Sequence, residues 1–77
     1  SYRGRVKYQN KNYYLGTYKT KDEARIAFDI AAIYLSRTKI NFLQHLETYQ
    51  QIIEETPETE LSEYLKILAK TAVEKIL

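Results

Sequence analysis

From Tyr2 to Tyr8 the chain alternates in character: Arg3, Arg5 and Lys7 fall on one parity, and Tyr2, Gly4, Val6 and Tyr8 on the other. Successive side chains of a β-strand point to opposite faces, so this spacing predicts a strand with one cationic and one apolar face. Gln9-Asn10-Lys11-Asn12 reads as a turn, because asparagine tolerates positive φ. Tyr13-Tyr14-Leu15-Gly16-Thr17-Tyr18 reads as the returning strand. Parity there groups Tyr13, Leu15 and Thr17 on one face and Asn12, Tyr14, Gly16 and Tyr18 on the other. Leu15 is a core residue, so Tyr13 and Leu15 are expected inward beside Val6, with Asn12 and Tyr14 outward beside the basic residues. Gly16 marks a close backbone approach or a bulge.

After Thr20 the apolar period changes to that of a helix. Thr20 is placed to cap its start, Glu23 to complete a capping box, and Asp22 and Glu23 to face the positive end of the helix dipole. The helix is expected over residues 21–35 or 21–36, with Ala24, Ala27, Phe28, Ala31 and Leu35 on one stripe. Three alanines in that stripe permit close approach to a sheet. Ile26, Ile30 and Ile33 lie on the opposite side and need a cover, for which the C-terminal segment is the candidate. Ser36-Arg37-Thr38-Lys39 breaks the pattern, and Ile40-Asn41-Phe42 reads as a short extended piece tucking back. Helical spacing resumes over residues 43–55 through Leu43, Leu46, Tyr49 or Gln50, Ile52 and Ile53. Thr56-Pro57 interrupts it. A third helix is expected from Pro57 or Glu60 to the end, with Leu61, Tyr64, Leu65, Leu68, Ala72 and Ile76 as its stripe. Its glutamates (Glu58, Glu60, Glu63) come early and its lysines (Lys66, Lys70, Lys75) late, as the dipole favours. Ile67, Val73 and Leu77 add apolar surface for an intramolecular core, a dimer seam or a docking face. The expected class is α+β: a small antiparallel β-ribbon or sheet packed on one helix, followed by two C-terminal helices. Residues 1–42 form the sheet-plus-helix module, and residues 43–77 an extension packing on the module or on a partner.

Composition narrows the reading. Seventy-seven residues suffice for one domain, which at this size buries only about 60% of its unfolded surface. The absence of cysteine excludes a disulfide and a cysteine-based metal site, and fits a reducing compartment. No apolar run approaches the roughly 20 residues of a membrane span, so no membrane partner is expected. The chain has no methionine, which gives the expectation that it is a fragment of something longer. The net charge of +2 hides an asymmetry: residues 1–42 carry nine Lys and Arg against three Asp and Glu, whereas residues 43–77 carry three against seven. A basic half joined to an acidic half points the first half at a polyanion.

The sequence offers no catalytic constellation. His45 is the single histidine and stands among leucines, and Gly4 and Gly16 are too isolated for a phosphate loop. The expectation is therefore a binding module and not an enzyme, with no cofactor and no metal site. A β-ribbon fits the roughly 12 Å major groove of B-DNA, where arginine can donate two parallel hydrogen bonds to guanine O6 and N7. Arg3 and Arg5 are the candidates for that role. Lys7, Lys11 and Lys19 are candidates for neutralising phosphates, which adds affinity without sequence information. Asn12 is placed to read adenine or hold a phosphate, and Tyr14 to pack on sugar or a thymine methyl.

Arg5-Val6-Lys7, then Tyr14-Leu15-Gly16-Thr17-Tyr18, then Thr20-Lys21-Asp22-Glu23-Ala24 resemble the second and third strands and the helix start of the AP2/ERF domain. Ala27-Phe28-Asp29 with Ala31-Ala32 is similar to that family's alanine-rich helix motif, and Ile40-Asn41-Phe42 to its closing Leu-Asn-Phe. The resemblance spans about residues 2–42. It implies a three-stranded antiparallel sheet on one helix, with the sheet in the DNA major groove and contacts from Arg3, Arg5, Lys7, Asn12 and Tyr14. Tyr14 stands where plant members often carry a contacting tryptophan. The richness in Lys, Ile, Asn and Tyr suits an AT-rich genome such as those of the family's apicomplexan branch. The expected function is sequence-specific binding of double-stranded DNA by a transcription factor in the nucleus. One alternative is an RNA-binding or ribosome-associated protein, in a mitochondrion or other organelle, that reuses the fold on rRNA. Another is the DNA-binding module of a homing-endonuclease or integrase-type protein. Partnering or self-association through the C-terminal helices accompanies any of these.

Overall fold

A computed structural model describes residues 1–37 and 39–77; Thr38, one of the residues expected to break the helical pattern, lies outside the described residues. Strands β1 (Tyr2–Tyr8) and β2 (Lys11–Tyr18) form a two-stranded antiparallel sheet, followed by helices α1 (Lys21–Tyr34), α2 (Leu46–Glu55) and α3 (Leu61–Ile76), with a 3₁₀ turn at Leu43–His45 leading into α2. The fold is thus α+β, as expected. The described sheet has two strands where the family resemblance implies three, and Tyr2, Arg3 and Gly4 belong to the same continuous strand as Arg5, Val6 and Lys7.

The turn is tighter than the expected four residues. Gln9 (φ 51°) and Asn10 (φ 64°) both have positive φ, which is the signature of a type I′ hairpin whose twist matches the flanking strands. Lys11 and Asn12 already belong to β2.

The strand pairing departs from strict alternation. Gly4 lies opposite Gly16, but Arg5 lies opposite Tyr14, so β2 carries one extra residue, Leu15, at a bulge. The bulge reverses parity along the rest of β2. Tyr13 and Leu15 face the core as expected, but so do Gly16 and Tyr18, while Thr17 turns outward. Gly16 has φ +116°, a conformation open to glycine, and a Cβ there would lie 3.0 Å from the Tyr18 hydroxyl oxygen. That hydroxyl donates to the carbonyl of Leu15 at 2.7 Å, satisfying a main-chain acceptor at the bulge.

Helix α1 begins where its side chains dictate. Thr20 Oγ1 accepts from the Glu23 N–H, and Glu23 Oε1 accepts from the Thr20 N–H at 3.0 Å, completing the capping box. The helix closes in a Schellman arrangement: the Ser36 N–H donates to the Ile33 carbonyl and the Arg37 N–H to the Ala32 carbonyl, with Ser36 at φ 66°. Ala27 abuts the sheet, 3.4 Å from where a Cβ on Gly4 would lie. On the other side Ile26 and Ile30 are buried and Ile33 is half-buried, and α3 and α2 pack against α1.

A buried carboxylate fixes the connection that follows. Asp29 is fully buried. Its Oδ1 accepts from the Asn41 N–H (2.7 Å) and the Asn41 side-chain amide (2.9 Å), and its Oδ2 from the Phe42 N–H (2.8 Å) and the Tyr49 hydroxyl (3.0 Å). Residues 40–42 do tuck back, as irregular chain held by Asp29 and not as an extended strand. Burial and the facing carboxylate push the Tyr49 hydroxyl well above its ordinary pKa. Helix α2 begins three residues later than expected, after the 3₁₀ turn, and Leu43 is left exposed. His45 sits edge-on between Phe42 and Tyr49, with ring centroids 6.1 and 6.2 Å away. Helix α3 is capped by Glu60, whose carboxylate accepts from the Ser62 and Glu63 N–H groups. Those bonds, with a smaller contribution from the nearby charge of Lys11, hold the Glu60 carboxyl below its ordinary range. One continuous core joins Val6, Leu15 and Tyr18 to Ile26 and Ile30 of α1, to Tyr49 and Ile52 of α2, and to Tyr64, Leu65 and Leu68 of α3.

Candidate nucleic-acid interface

Before the bulge the hairpin behaves as a regular ribbon, and its outward face is built in rungs. Arg5 pairs with Tyr14 and Lys7 with Asn12; beyond the bulge Arg3 pairs with Thr17. All six residues are exposed. Each rung places a cation from β1 beside a hydrogen-bonding or aromatic residue from β2. Opposite these, Gly4 and Val6 are buried against α1 and the core. Strand β1 therefore has a cationic outer face and an inner face that is buried at Gly4 and Val6, half-buried at Tyr8 and exposed at Tyr2.

Tyr14 organises the centre of the outer face. Its ring lies under the Arg3 guanidinium, 5.6 Å from ring centroid to Cζ, a distance at which the cation is attracted to the π face. Its hydroxyl shares a 2.5 Å hydrogen bond with Thr17 Oγ1. The reversal of parity at Leu15 is what brings Thr17 to this side. Arg3, Arg5, Asn12, Tyr13 and Tyr14 line a shallow depression of about 350 Å³. Arg37, beyond the end of α1, donates from its guanidinium to the Lys7 carbonyl and so ties that rung to the helix. Among the described residues the only ion pair is Arg25–Asp22, on the first turns of α1. Arg3, Arg5 and Lys7 thus have no carboxylate within 4 Å among the described residues, and their charge faces solvent.

Five of the seven candidates share this face: Arg3, Arg5, Lys7, Asn12 and Tyr14. Lys11 does not. It lies opposite Tyr8, on the parity of the inner face, with its ammonium 5.3 Å from the Tyr13 ring. Lys19 stands at the junction before α1, where its N–H donates to Glu23 Oε1. The sequence reading missed Lys66 and Lys70. Both come from α3, which runs beside β2, and their ammonium groups lie 5.9 Å from the rings of Tyr14 and Tyr18 respectively. Their four-residue spacing is visible in the sequence, but the dipole accounts for them equally well, and the direction they face depends on how α3 docks.

Tyr18 supports the face from below. Burial first, then the neighbouring Tyr14 and Glu23, push its hydroxyl up to about 12, so it stays a neutral donor to Leu15. The arrangement can neutralise phosphates and present two guanidinium forks to base edges. Among the described residues there is no group of three or more His, Cys, Asp and Glu able to hold a metal ion, and no helix is long and apolar enough to cross a membrane. Comparison of the chain with family models, with curated proteins and with solved structures returns no match.

Proposed function

We propose that this chain is a double-stranded-DNA-binding module of a transcription factor, which lays the outer face of the β1–β2 ribbon in the major groove. The observation that carries the reading is the row of Arg3, Arg5 and Lys7, solvent-facing and without carboxylate partners among the described residues, on a ribbon whose other face carries the core residues Val6 and Leu15. Two strands lie about 5 Å apart, which leaves room for side chains within a groove of about 12 Å. Arg5 and Arg3 read guanine, Asn12 reads adenine or holds a phosphate, and Lys7 neutralises the backbone. The AP2-type resemblance supports the same reading. Its helix motif around Asp29 and its closing motif around Asn41 and Phe42 are bonded to each other through the Asp29 carboxylate. A-form RNA has a deep, narrow major groove that would not admit the ribbon, which favours DNA over RNA as the partner.

The test is selection from a random duplex pool, beside binding to structured RNA, across a salt series. One preferred duplex motif is expected. Arg5→Ala should relax the preference at one base position by about 1–3 kcal/mol. Equal, steeply salt-dependent binding to every nucleic acid would overturn the assignment of Arg5 as a base reader.

A further inference from the structure

We infer that α3 is part of the DNA-binding surface: Lys66 and Lys70 hold two phosphates of the backbone strand that borders the groove on the β2 side. This inference rests on the reading of the ribbon as a duplex-DNA binder and extends its footprint to a helix outside the AP2-like segment.

Helix α3 runs beside β2. It is capped by Glu60, close to Lys11 at the turn end of the hairpin, and packs against β2. Lys66 and Lys70 are one turn apart on the same helical face, so their Cα atoms stand about 6 Å apart along the axis. Both turn toward the ribbon. Lys66 Nζ lies 5.9 Å from the ring centroid of Tyr14, and Arg3 Cζ lies 5.6 Å from the same centroid. Lys70 Nζ lies 5.9 Å from the ring of Tyr18. Neither lysine has a carboxylate within 4 Å among the described residues. Glu63 and Glu74 share this stripe one turn beyond either end of the pair, but among the described residues neither carboxylate comes within 4 Å of a lysine ammonium. The result is a cationic flank along β2, continuous with the outer face through Tyr14.

Its chemistry suits phosphate and not a base edge. A lysine ammonium is a compact point charge on a flexible stem, suited to a single anionic oxygen, whereas base readout favours the planar fork of arginine. A ribbon seated in the major groove has a sugar-phosphate strand on each side. On the β2 side the part of the protein that meets it is α3.

The test uses the full chain and the duplex motif selected by the wild-type protein. Lys66→Gln, Lys70→Gln and the double variant are compared with Lys75→Gln. Lys75 lies about 180° round α3 from Lys66 and supplies a matched loss of charge. The logarithm of affinity falls with that of salt by about 0.9 per phosphate neutralised. The double variant should therefore lose close to 2 from that slope, each single variant close to 1, and Lys75→Gln nothing. Between 50 and 200 mM salt the wild-type protein should then lose roughly tenfold more affinity than the double variant. The base preference should not change. Lys66→Arg with Lys70→Arg keeps the charge and should keep the slope. An unchanged slope in the double variant, an equal drop in Lys75→Gln, or a changed base preference would overturn the role of α3 while leaving the ribbon reading intact. If the wild-type protein binds no duplex, or selects structured RNA instead, both fall together.

Discussion

Asp29 shows how one buried side chain can set a connection. A carboxylate out of water is costly unless its lone pairs are satisfied. Here four donors converge on it, two from the backbone of Asn41 and Phe42 and two from side chains. Hydrogen bonds to a charged group contribute about 1.5–3 kcal/mol each in favourable settings, and they are not additive. Asp29→Asn places an amide N–H₂ among donors and should cost about 2 kcal/mol, and Asp29→Ala should cost more, by leaving all four donors without this acceptor. Urea unfolding of the three proteins measures both losses, and equal midpoints would remove Asp29 from its structural role. Nothing in the hydropathy pattern marks this residue. It stands between Phe28 and Ile30 in an apolar stretch, and its partners lie 12 to 20 residues further on.

At the scale of elements, the chemistry of a helix start is legible in the sequence and strand pairing is not. Thr20 and Glu23 define a helix start by themselves, because a capping box needs only four residues. The turn is legible only in part: the expectation spans Gln9 to Asn12, whereas Gln9 and Asn10 alone take the positive φ of a type I′ turn. Which face Thr17, Gly16 and Tyr18 present depended on something else: the residue count of β2 relative to β1. Strict alternation cannot reveal a bulge, although an isolated glycine in a strand hints at one. Gly16 is the pivot. Gly16→Ala forces a side chain onto φ +116° and against the Tyr18 hydroxyl, at a cost of about 1–3 kcal/mol. Gly4→Ala meets Tyr18, Leu15 and Ala27 at 3.3 to 3.4 Å without the backbone strain, and should cost less. Thermal unfolding of both variants ranks them, and the reverse order would contradict the role given to the bulge. The lysines of α3 escaped the sequence reading for a related reason. Helical spacing shows which residues share a face, but the docked neighbour decides what that face meets.

Across the whole molecule, the two halves of the sequence share one interior. Among the described residues, eight of the sixteen buried apolar ones come from residues 43–77, including Tyr49, Tyr64, Leu65 and Leu68. A two-stranded hairpin has little stability alone in water, so α1 and α3 together keep the ribbon in shape. The accessible surface of 5108 Å² is close to the roughly 4,900 Å² typical of a compact monomer of this mass. Of the surplus apolar residues noted in α3, Val73 joins the core, while Ile67 and Leu77 stay exposed. A chain cut after Phe42 should lose cooperative unfolding altogether, which circular dichroism across a urea series would register. A sharp transition retained by residues 1–42 would refute this division of labour. The charge asymmetry has the same layout in three dimensions only in part: the acidic C-terminal half also delivers Lys66 to Tyr14 on the basic face and Lys70 to Tyr18 beneath it.

Strand β1 pairs only with β2 among the described residues. An unpaired strand edge is a template on which another copy can add, the first step toward aggregation. Arg3, Arg5 and Lys7 act as gatekeepers against it. Two such strands brought together would set rows of like charge side by side, and that repulsion opposes the new main-chain bonds. That protection is electrostatic and is therefore conditional: at about 1 M salt the screening length shrinks to about 3 Å. The protein should accordingly be most soluble in dilute buffer, and bound polyanion should bring copies closer together than free solution allows.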